Sequence, residues 1–346
     1  MTPGTRKAFE ELLNKLRPEV ARAFREAVDD VRSSAQLRII EDAIRRQDVQ
    51  AVVQALQLGP EFFAPLDQAI QDAFIKGGAF QIARTPPLPN PAGDGDLVIR
   101  FNGRTPRAEA FALTTGELIR EITEETRDMV RDVVSEGIAE GRNPRETALQ
   151  IVGRTNRATG RREGGLLGLT TQQAAWVRNM DAELRDPARM GGYFDRARRD
   201  RRFDPIVRAA MREGKPVSAA DRARITGRYS DRLLKLRGEM IARTETIRAL
   251  NAGRMEGIQQ MIDRGAINAD QVKVRWSATL DDRTRDSHVA LNGQEASFGE
   301  PFRSPATGAL MRYPGDTELG AHGEDIIGCR CMVDYSIDFL KGLRAA

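Results

Sequence analysis

The longest helical pattern in the chain runs from about Tyr229 to Asp263 and constrains the fold more than any other feature. Two glycines four residues apart, Gly253 and Gly257, lie on one face of this predicted helix. Because glycine has no side chain, that face predicts the close approach of a second backbone. Gly265 is predicted to end the helix. The apolar stripe that predicts the helix consists of Leu233, Leu236, Met240, Ile241, Ile247, Leu250, Ile258 and Met261.

Residues 1–83 are predicted to form an N-terminal helical unit, because their apolar residues also recur at helical spacing. Pro18 predicts a break or kink near residues 17–18, since proline lacks the amide hydrogen that a helix uses. Asp48 is predicted to cap a short helix. The pair Gly77-Gly78 is predicted to end another helix.

Residues 84–96 contain four prolines and two glycines, which predicts a linker. A short strand is predicted to follow it at Leu97–Phe101. Residues 97–269 are predicted to form a helical domain, in which Asn143 caps one helix. Within that domain, the Gly- and Arg-rich residues 153–168 predict a mobile loop.

The chain changes character after residue 269. Residues 272–276 alternate like a strand, residues 331–335 predict a final strand, and glycine and proline are frequent between residues 292 and 320. Residues 270–346 are therefore predicted to form a small C-terminal α+β domain. The fold class predicted for the whole chain is mainly α, with an elongated multi-helix body.

Charge and cysteine content limit the classes of protein that the sequence fits. The net charge of +4 permits contact with nucleic acid or an acidic protein surface but does not require it. Two cysteines exclude a disulfide-stapled scaffold. The N-terminus lacks the apolar run of a signal peptide, and charges interrupt every apolar stretch. These features predict a reducing, soluble compartment and no membrane partner.

All four of the cysteines and histidines lie in one segment: His288, His322, Cys329 and Cys331. Thiolate and imidazole are the usual ligands of a tetrahedral zinc ion, so these four residues are candidate zinc ligands. The spacing matches no zinc finger, however. In the alternative interpretation, the thiols are half-buried on the last strand and the histidines bond to backbone or solvent. The sequence leaves both open.

Five separated elements then occur in an order that resembles a known family. They are a Trp before an acidic, Arg-containing stretch and an Arg-x-x-His element, both in RWSATLDDRTRDSH (275–288), then the turn LNGQ (291–294), YPGD (313–316) and GCRC (328–331). The preceding helix residues 241–253, with Asn251, are also similar. This set resembles the C-terminal domain of the Mu F-like minor head (head morphogenesis) proteins of tailed bacteriophages. Thr284 and His288 stand where some members carry cysteine, so a metal site cannot be transferred from them intact.

The resemblance implies a structural protein of the virion, present in few copies, and not an enzyme. It implies a place at the portal vertex or capsid interior, reached from the host cytoplasm during assembly. The implied role is in head morphogenesis, DNA packaging or DNA ejection. The implied partners are the portal protein and other capsid proteins, with phage DNA as a further candidate.

The signature residues also have a physical interpretation. Asp282, Arg283 and Arg285 are predicted to form charged cross-links with Glu324 and Asp325 between the two ends of the domain. In this interpretation, the motif residues serve mainly to fold the domain and only secondarily form a functional site. The full signature consists of Trp276, Asp282, Arg283, Arg285, His288, Gly293, Pro314, Gly315, Asp316, Cys329, Arg330 and Cys331.

Arg330 alternates with the two cysteines and is therefore predicted to face the opposite side of the strand. On that side its guanidinium group can bind a carboxylate through two parallel hydrogen bonds.

A basic cluster precedes the C-terminal domain. Its arginines suit DNA phosphates, although the same charges also fit a solvated helix face or an acidic protein surface. No aromatic residues alternate with them, so base stacking is not indicated. The candidate contact residues are Arg196, Arg198, Arg199, Arg201 and Arg202.

Two other functions remain open from the residues alone. One is a metal-dependent hydrolase or nuclease that uses Asp286, His288 and the cysteine pair, although the chain has no HExxH motif and no phosphate-binding loop. The other is a DNA-binding accessory factor that acts through the arginine cluster.

Overall fold

A computed structural model describes residues 3–87, 95 and 97–341. Helices dominate the described part of the chain. They are α1 (Pro3–Ser34), α2 (Leu37–Arg45), α3 (Val49–Ala55), α4 (Ala64–Ala83), α5 (Pro106–Ala139), α6 (Pro144–Val152), α7 (Thr171–Arg185), α8 (Gly191–Phe194), α9 (Asp204–Glu213), α10 (Ala219–Asp263), α11 (Asp286–Leu291) and α12 (Gly323–Ile326).

The strands are short and antiparallel. They are β1 (Arg154–Thr155), β2 (Arg162–Glu163), β3 (Val272–Ser277), β4 (Glu295–Ser297), β5 (Phe302–Arg303), β6 (Leu310–Met311) and β7 (Met332–Ile337). All but β1 and β2 follow residue 269, which confirms the predicted fold class: mainly α, with a small C-terminal α+β part.

The chain divides into two compact units. One comprises Met1–Ala21, Leu66–Thr115 and Glu239–Ala346, and the other comprises Arg22–Pro65 and Gly116–Gly238. The sequence-based division into 1–83, 84–96, 97–269 and 270–346 stays a prediction. Residues 88–94 and 96 of the predicted linker lie outside the described residues.

In the first unit, glycines bring the backbones of α4 and α10 into contact. A Cβ atom on Gly253 would lie 1.9 Å from the carbonyl oxygen of Phe74, and one on Gly77 would lie 2.4 Å from that of Leu250. The close approach predicted for Gly253 and Gly257 is therefore confirmed. The helix end predicted at Gly77-Gly78 is wrong, because α4 runs on to Ala83 and uses these glycines for packing.

The strand predicted at Leu97–Phe101 is also wrong, although the exposure of its residues alternates. Its neighbour Asn102 exchanges two hydrogen bonds with the side chain of Gln260, each of 2.8 Å. This side chain satisfies the backbone in place of a strand partner. Leu97 and Ile99 pack on a buried cluster of Ile258, Met261, Ile267 and Val272.

A three-stranded sheet in the order β4-β3-β7 forms the base of the C-terminal part. Trp276 of β3 pairs with Val333 of β7, and both side chains are fully buried. The strand predicted over 272–276 is confirmed. The final strand begins at Met332, so Cys331 lies just before it.

Pro18 does not break α1, so the predicted break is wrong, while the alternative of a kink stays a prediction. Its own side chain is exposed, while Leu16 and Val20 on either side of it are 1% and 0% exposed. Burial of this continuous apolar face offsets the cost of a proline inside a helix, which is about 3 kcal/mol.

In the second unit, the segment 153–168 is not the loose loop that its composition predicts. It contains the β1-β2 hairpin, and Leu166 and Leu167 are buried. Arg32 donates hydrogen bonds to the carbonyls of Gly165 and Leu167 at 2.8 and 2.9 Å, and Ser230 also donates to Gly165. Buried donors from α1 and α10 thus fix its backbone.

Two predicted helix starts are confirmed, and at each of them the capping side chain bonds to a backbone amide two or three residues further on. Asp48 accepts a hydrogen bond from the Ala51 amide, and Asn143 accepts one from the Arg145 amide. Each side chain satisfies one of the free amides in the first turn of its helix.

None of the described helices combines the length and the apolar character needed to cross a membrane.

Candidate functional site

Three side chains from two distant segments meet inside the C-terminal part of the first unit. The Nδ1 atom of His288 lies 3.5 Å from Sγ of Cys329 and 3.4 Å from Sγ of Cys331. Each residue is only 2% exposed. One ligand atom from each of the three lies within 4.8 Å of the others, which makes them the one candidate metal-binding group within the described ranges.

Local structure explains this meeting. His288 lies in α11, and the cysteines occupy the turn before β7, where the Cys331 amide donates to Sγ of Cys329 at 3.3 Å. The indole of Trp276 packs edge-on against the imidazole, with ring centroids 5.8 Å apart. Phe302 also packs edge-on against the indole, with ring centroids 5.4 Å apart. Aromatic rings thus hold the histidine against the sulfur atoms.

The two thiols differ in their proton affinity. The pKa of Cys331 is lowered, because its sulfur accepts a hydrogen bond from Cys329 and interacts with His288. The pKa of Cys329 is raised by the same pairing with Cys331 and by burial. Cys331 is therefore the thiol that ionises first, and a thiolate is the form that binds metals.

His322 does not join this group, contrary to the prediction from residue type. It is exposed and precedes α12. Thr284, which stands where some Mu F-like proteins carry cysteine, is also outside it, because its hydroxyl donates to the Thr279 carbonyl. Three of the four predicted zinc ligands are brought together.

The Pro314-Gly315-Asp316 element forms a tight turn against α10. Gly315 has a φ of +92°, and a Cβ atom there would lie 3.0 Å from Cα of Arg248. Asp316 is fully buried and accepts three hydrogen bonds from the backbone and guanidinium of Arg312. Position 315 therefore requires glycine, and Asp316 holds the turn closed.

Gly293 makes a second turn of this kind after α11. It has a φ of +83°, and its amide donates to the Trp276 carbonyl at 2.8 Å. The turn returns the chain to the edge of β3, where β4 then pairs.

The charged cross-link of the domain differs from the predicted one. Both terminal nitrogens of Arg330 donate to the carboxylate of Asp281, so the predicted binding of a carboxylate by two hydrogen bonds is seen. Asp325 instead accepts from the hydroxyls of Ser304 and Thr307, each at 2.7 Å.

The remaining charged signature residues lie at the surface or bond to backbone. Asp282 and Arg283 are exposed, and Nε of Arg283 lies 4.0 Å from the Asp282 carboxylate. Arg285 donates to the Ile327 carbonyl. Arg283 and Arg285 therefore do not bind Glu324 and Asp325 as predicted.

Comparison with known proteins finds a family to which this part of the chain is similar. Residues 204–334 match the model of the family described as Phage Mu protein F like protein. These residues, called the Mu F-like segment below, are similar to that family. The resemblance seen in the separated motifs is therefore confirmed. The trio of His288, Cys329 and Cys331, the turns at Gly293 and Gly315, and the Asp281–Arg330 pair all lie within the matched range.

Two curated proteins are similar to part of the chain. The minor head protein GP7 of Bacillus phage SPP1 is 35% identical over 102 residues, which is 30% of this chain and 30% of GP7. An NAD(+)--arginine ADP-ribosyltransferase, EFV, of Enterococcus faecalis is 33% identical over 98 residues, which is 28% of this chain and 18% of that enzyme. The chain thus spans less than a third of the length of either relative. No solved structure matches it.

Residues of α10 that position the Mu F-like motifs are harder to find from sequence. Asn251 is fully buried, and its amide group donates to the carbonyls of Pro314 and Cys331 at 3.4 Å. The hydroxyl of Thr244 accepts from the Gly328 amide at 3.0 Å. The resemblance pointed to this helix but not to these contacts.

Arg6 of α1 is a further contact that the sequence did not indicate. Its guanidinium donates to Ser277, to the Ala278 carbonyl and to Thr279, at 2.7–2.9 Å. No motif surrounds Arg6, so only the fold shows that α1 fixes the end of β3.

Most guanidinium groups of the arginine cluster at 196–202, just before the Mu F-like segment, pair with carboxylates. Arg196 pairs with Glu183, Arg199 with Asp204, and Arg202 with Asp200. Arg198 and Arg201 are exposed and have no carboxylate partner in the part of the chain that is described. Most of this charge is thus balanced within the second unit.

Proposed function

We propose that the chain is a structural minor head protein of a tailed phage, located in the virion and associated with the portal vertex. The match of residues 204–334 to the Mu F-like family carries this proposal. The similarity to GP7 of phage SPP1, which is a minor head protein, supports it. In this role the chain contacts the portal and other capsid proteins and acts in head morphogenesis, DNA packaging or ejection.

The contacts of the signature residues support a structural role. Asp316 binds Arg312, Arg330 binds Asp281, and Arg285 binds a backbone carbonyl. Each charged group is therefore used to hold turns and chain ends together. A catalytic site would instead direct such groups toward a substrate.

The enzyme named among the relatives does not alter this proposal. Its match covers 18% of the transferase, and the name describes that protein as a whole. The histidine and both cysteines are also buried, whereas a hydrolase or nuclease must expose its reacting groups to substrate.

The arginine cluster supports a protein partner more than DNA. Three of its five guanidinium groups pair with carboxylates, and Arg198 and Arg201 are the two without a carboxylate partner among the described residues. If the cluster nevertheless binds DNA, affinity should fall steeply with salt, and changing Arg198 and Arg201 to Ala should reduce it. An unaltered affinity in that double variant would exclude the cluster as a DNA site.

Mass spectrometry of purified particles tests the proposal. We expect peptides of this chain in immature and mature heads of the phage whose genome encodes it, at a few copies per particle. Its absence from both would overturn the proposal.

Co-purification tests the portal contact separately. The tagged full chain is co-expressed with the portal protein encoded beside it, and an unrelated portal protein serves as the control. We expect capture of the first portal protein and not of the second. Presence in heads without capture would keep the virion role and remove the portal contact.

A further inference from the structure

We propose that His288, Cys329 and Cys331 together bind one Zn²⁺ ion, which holds α11 against the turn before β7. The residue types support this metal. Thiolate and imidazole are the ligands that zinc prefers, and the group contains no carboxylate of the kind that magnesium and calcium require. Cys329 and Cys331 lie 41 and 43 residues after His288 along the chain, so the ion would close a long loop.

The distances between ligand atoms fit a tetrahedral ion. With Zn–S near 2.3 Å and Zn–N near 2.0–2.1 Å, the S–N edge of a tetrahedron is about 3.5–3.6 Å. The two observed edges, from Nδ1 of His288 to the two sulfur atoms, are 3.5 and 3.4 Å. Both observed S–N distances therefore match the edges of a tetrahedral zinc site.

Neighbouring side chains hold the three residues of the trio in place. Trp276 and Phe302 pack in sequence behind the imidazole, and Asn251 donates to the carbonyl of Cys331. These contacts orient the ligands before any ion binds. The trio supplies three ligands, which leaves the fourth tetrahedral position to a ligand from outside it, such as water.

Metal analysis of the full chain, purified under reducing conditions, tests the site. We expect one zinc ion per chain by mass spectrometry of the metal. The variants His288→Ala, Cys329→Ser and Cys331→Ser should each lose it. His322→Ala is the matched control, since His322 is the other histidine and lies outside the trio; it should retain the ion. Equal loss in that control would overturn the assignment to these three residues.

Cobalt substitution keeps the test independent of whether the variants fold. The wild-type chain, stripped by a chelator and still folded by circular dichroism, is titrated with Co²⁺ alone. We expect the visible absorption of a tetrahedral site and a thiolate charge-transfer band, both saturating at one equivalent. A folded wild-type chain that holds no zinc and gives no such spectrum would contain hydrogen-bonded thiols only, and the proposal would be wrong.

Discussion

Arg330 binds the carboxylate of Asp281 through both of its terminal nitrogens, although the two residues are 49 positions apart along the chain. Asp281 lies in the loop after β3, and Arg330 lies between the two cysteines before β7. This pair therefore joins the two ends of the Mu F-like motif. The pair gives the arginine of the Cys-Arg-Cys element a structural role, so no substrate contact is needed to explain it.

The first prediction concerns this pair. Asp281→Asn should lower the melting temperature of the chain, because Arg330 loses a charged acceptor that binds it twice. Asp282→Asn is the matched control, since Asp282 is adjacent, carries the same charge and has a side chain that is 91% exposed. Thermal unfolding followed by circular dichroism measures both. Equal melting temperatures for the two variants would show that the pair does not stabilise the fold.

The second prediction is the pH dependence of the same pair. The Arg330 guanidinium holds the pKa of Asp281 below its ordinary value of 3.8. Its stabilising effect should therefore be fully present above about pH 4 and decline as the pH falls toward the lowered pKa of the folded state. Urea unfolding of wild type and Asp281→Asn between pH 7 and pH 3 measures this. A difference that grows as the pH falls would contradict the prediction.

The third prediction concerns the contact between α4 and α10. Gly253→Ala should lower the free energy of unfolding by roughly 1–3 kcal/mol, because the new methyl group would meet the Phe74 carbonyl. Gly116→Ala is the control, since Gly116 lies in α5 and a Cβ atom there has no neighbour within 4 Å. That change should raise stability by up to about 1 kcal/mol. Chemical denaturation of both variants distinguishes packing from helix propensity.

Local signals in the sequence predicted local structure well. The caps at Asp48 and Asn143 and the strand at 272–276 depend on neighbours within a few residues, and all three are confirmed. The contact face of Gly253 was also predictable, because a helix displays residues four apart on one side.

The errors arose where distant contacts override a local preference. Pro18 and Gly77-Gly78 lie inside helices that tertiary packing stabilises. Leu97–Phe101 lacks a strand partner because a glutamine side chain from α10 bonds to the adjoining backbone. In the candidate site, residue type identified four candidate zinc ligands, but only the fold shows that His322 lies outside the group. Spacing along the chain does not contain that information.

The last prediction separates the arginines that the fold uses from those that it leaves at the surface. Arg196 donates two hydrogen bonds to Glu183, and both side chains are 16% exposed. Arg196→Ala should therefore lower the free energy of unfolding by about 1 kcal/mol, since it leaves a half-buried carboxylate unpaired. Arg198→Ala, two residues away and exposed, should change it by less than about 0.5 kcal/mol. Urea denaturation at low and high salt measures both variants. Equal effects would mean that position 196 is as dispensable as 198, and the cluster would then have to be treated as five surface charges free to meet an acidic partner or DNA.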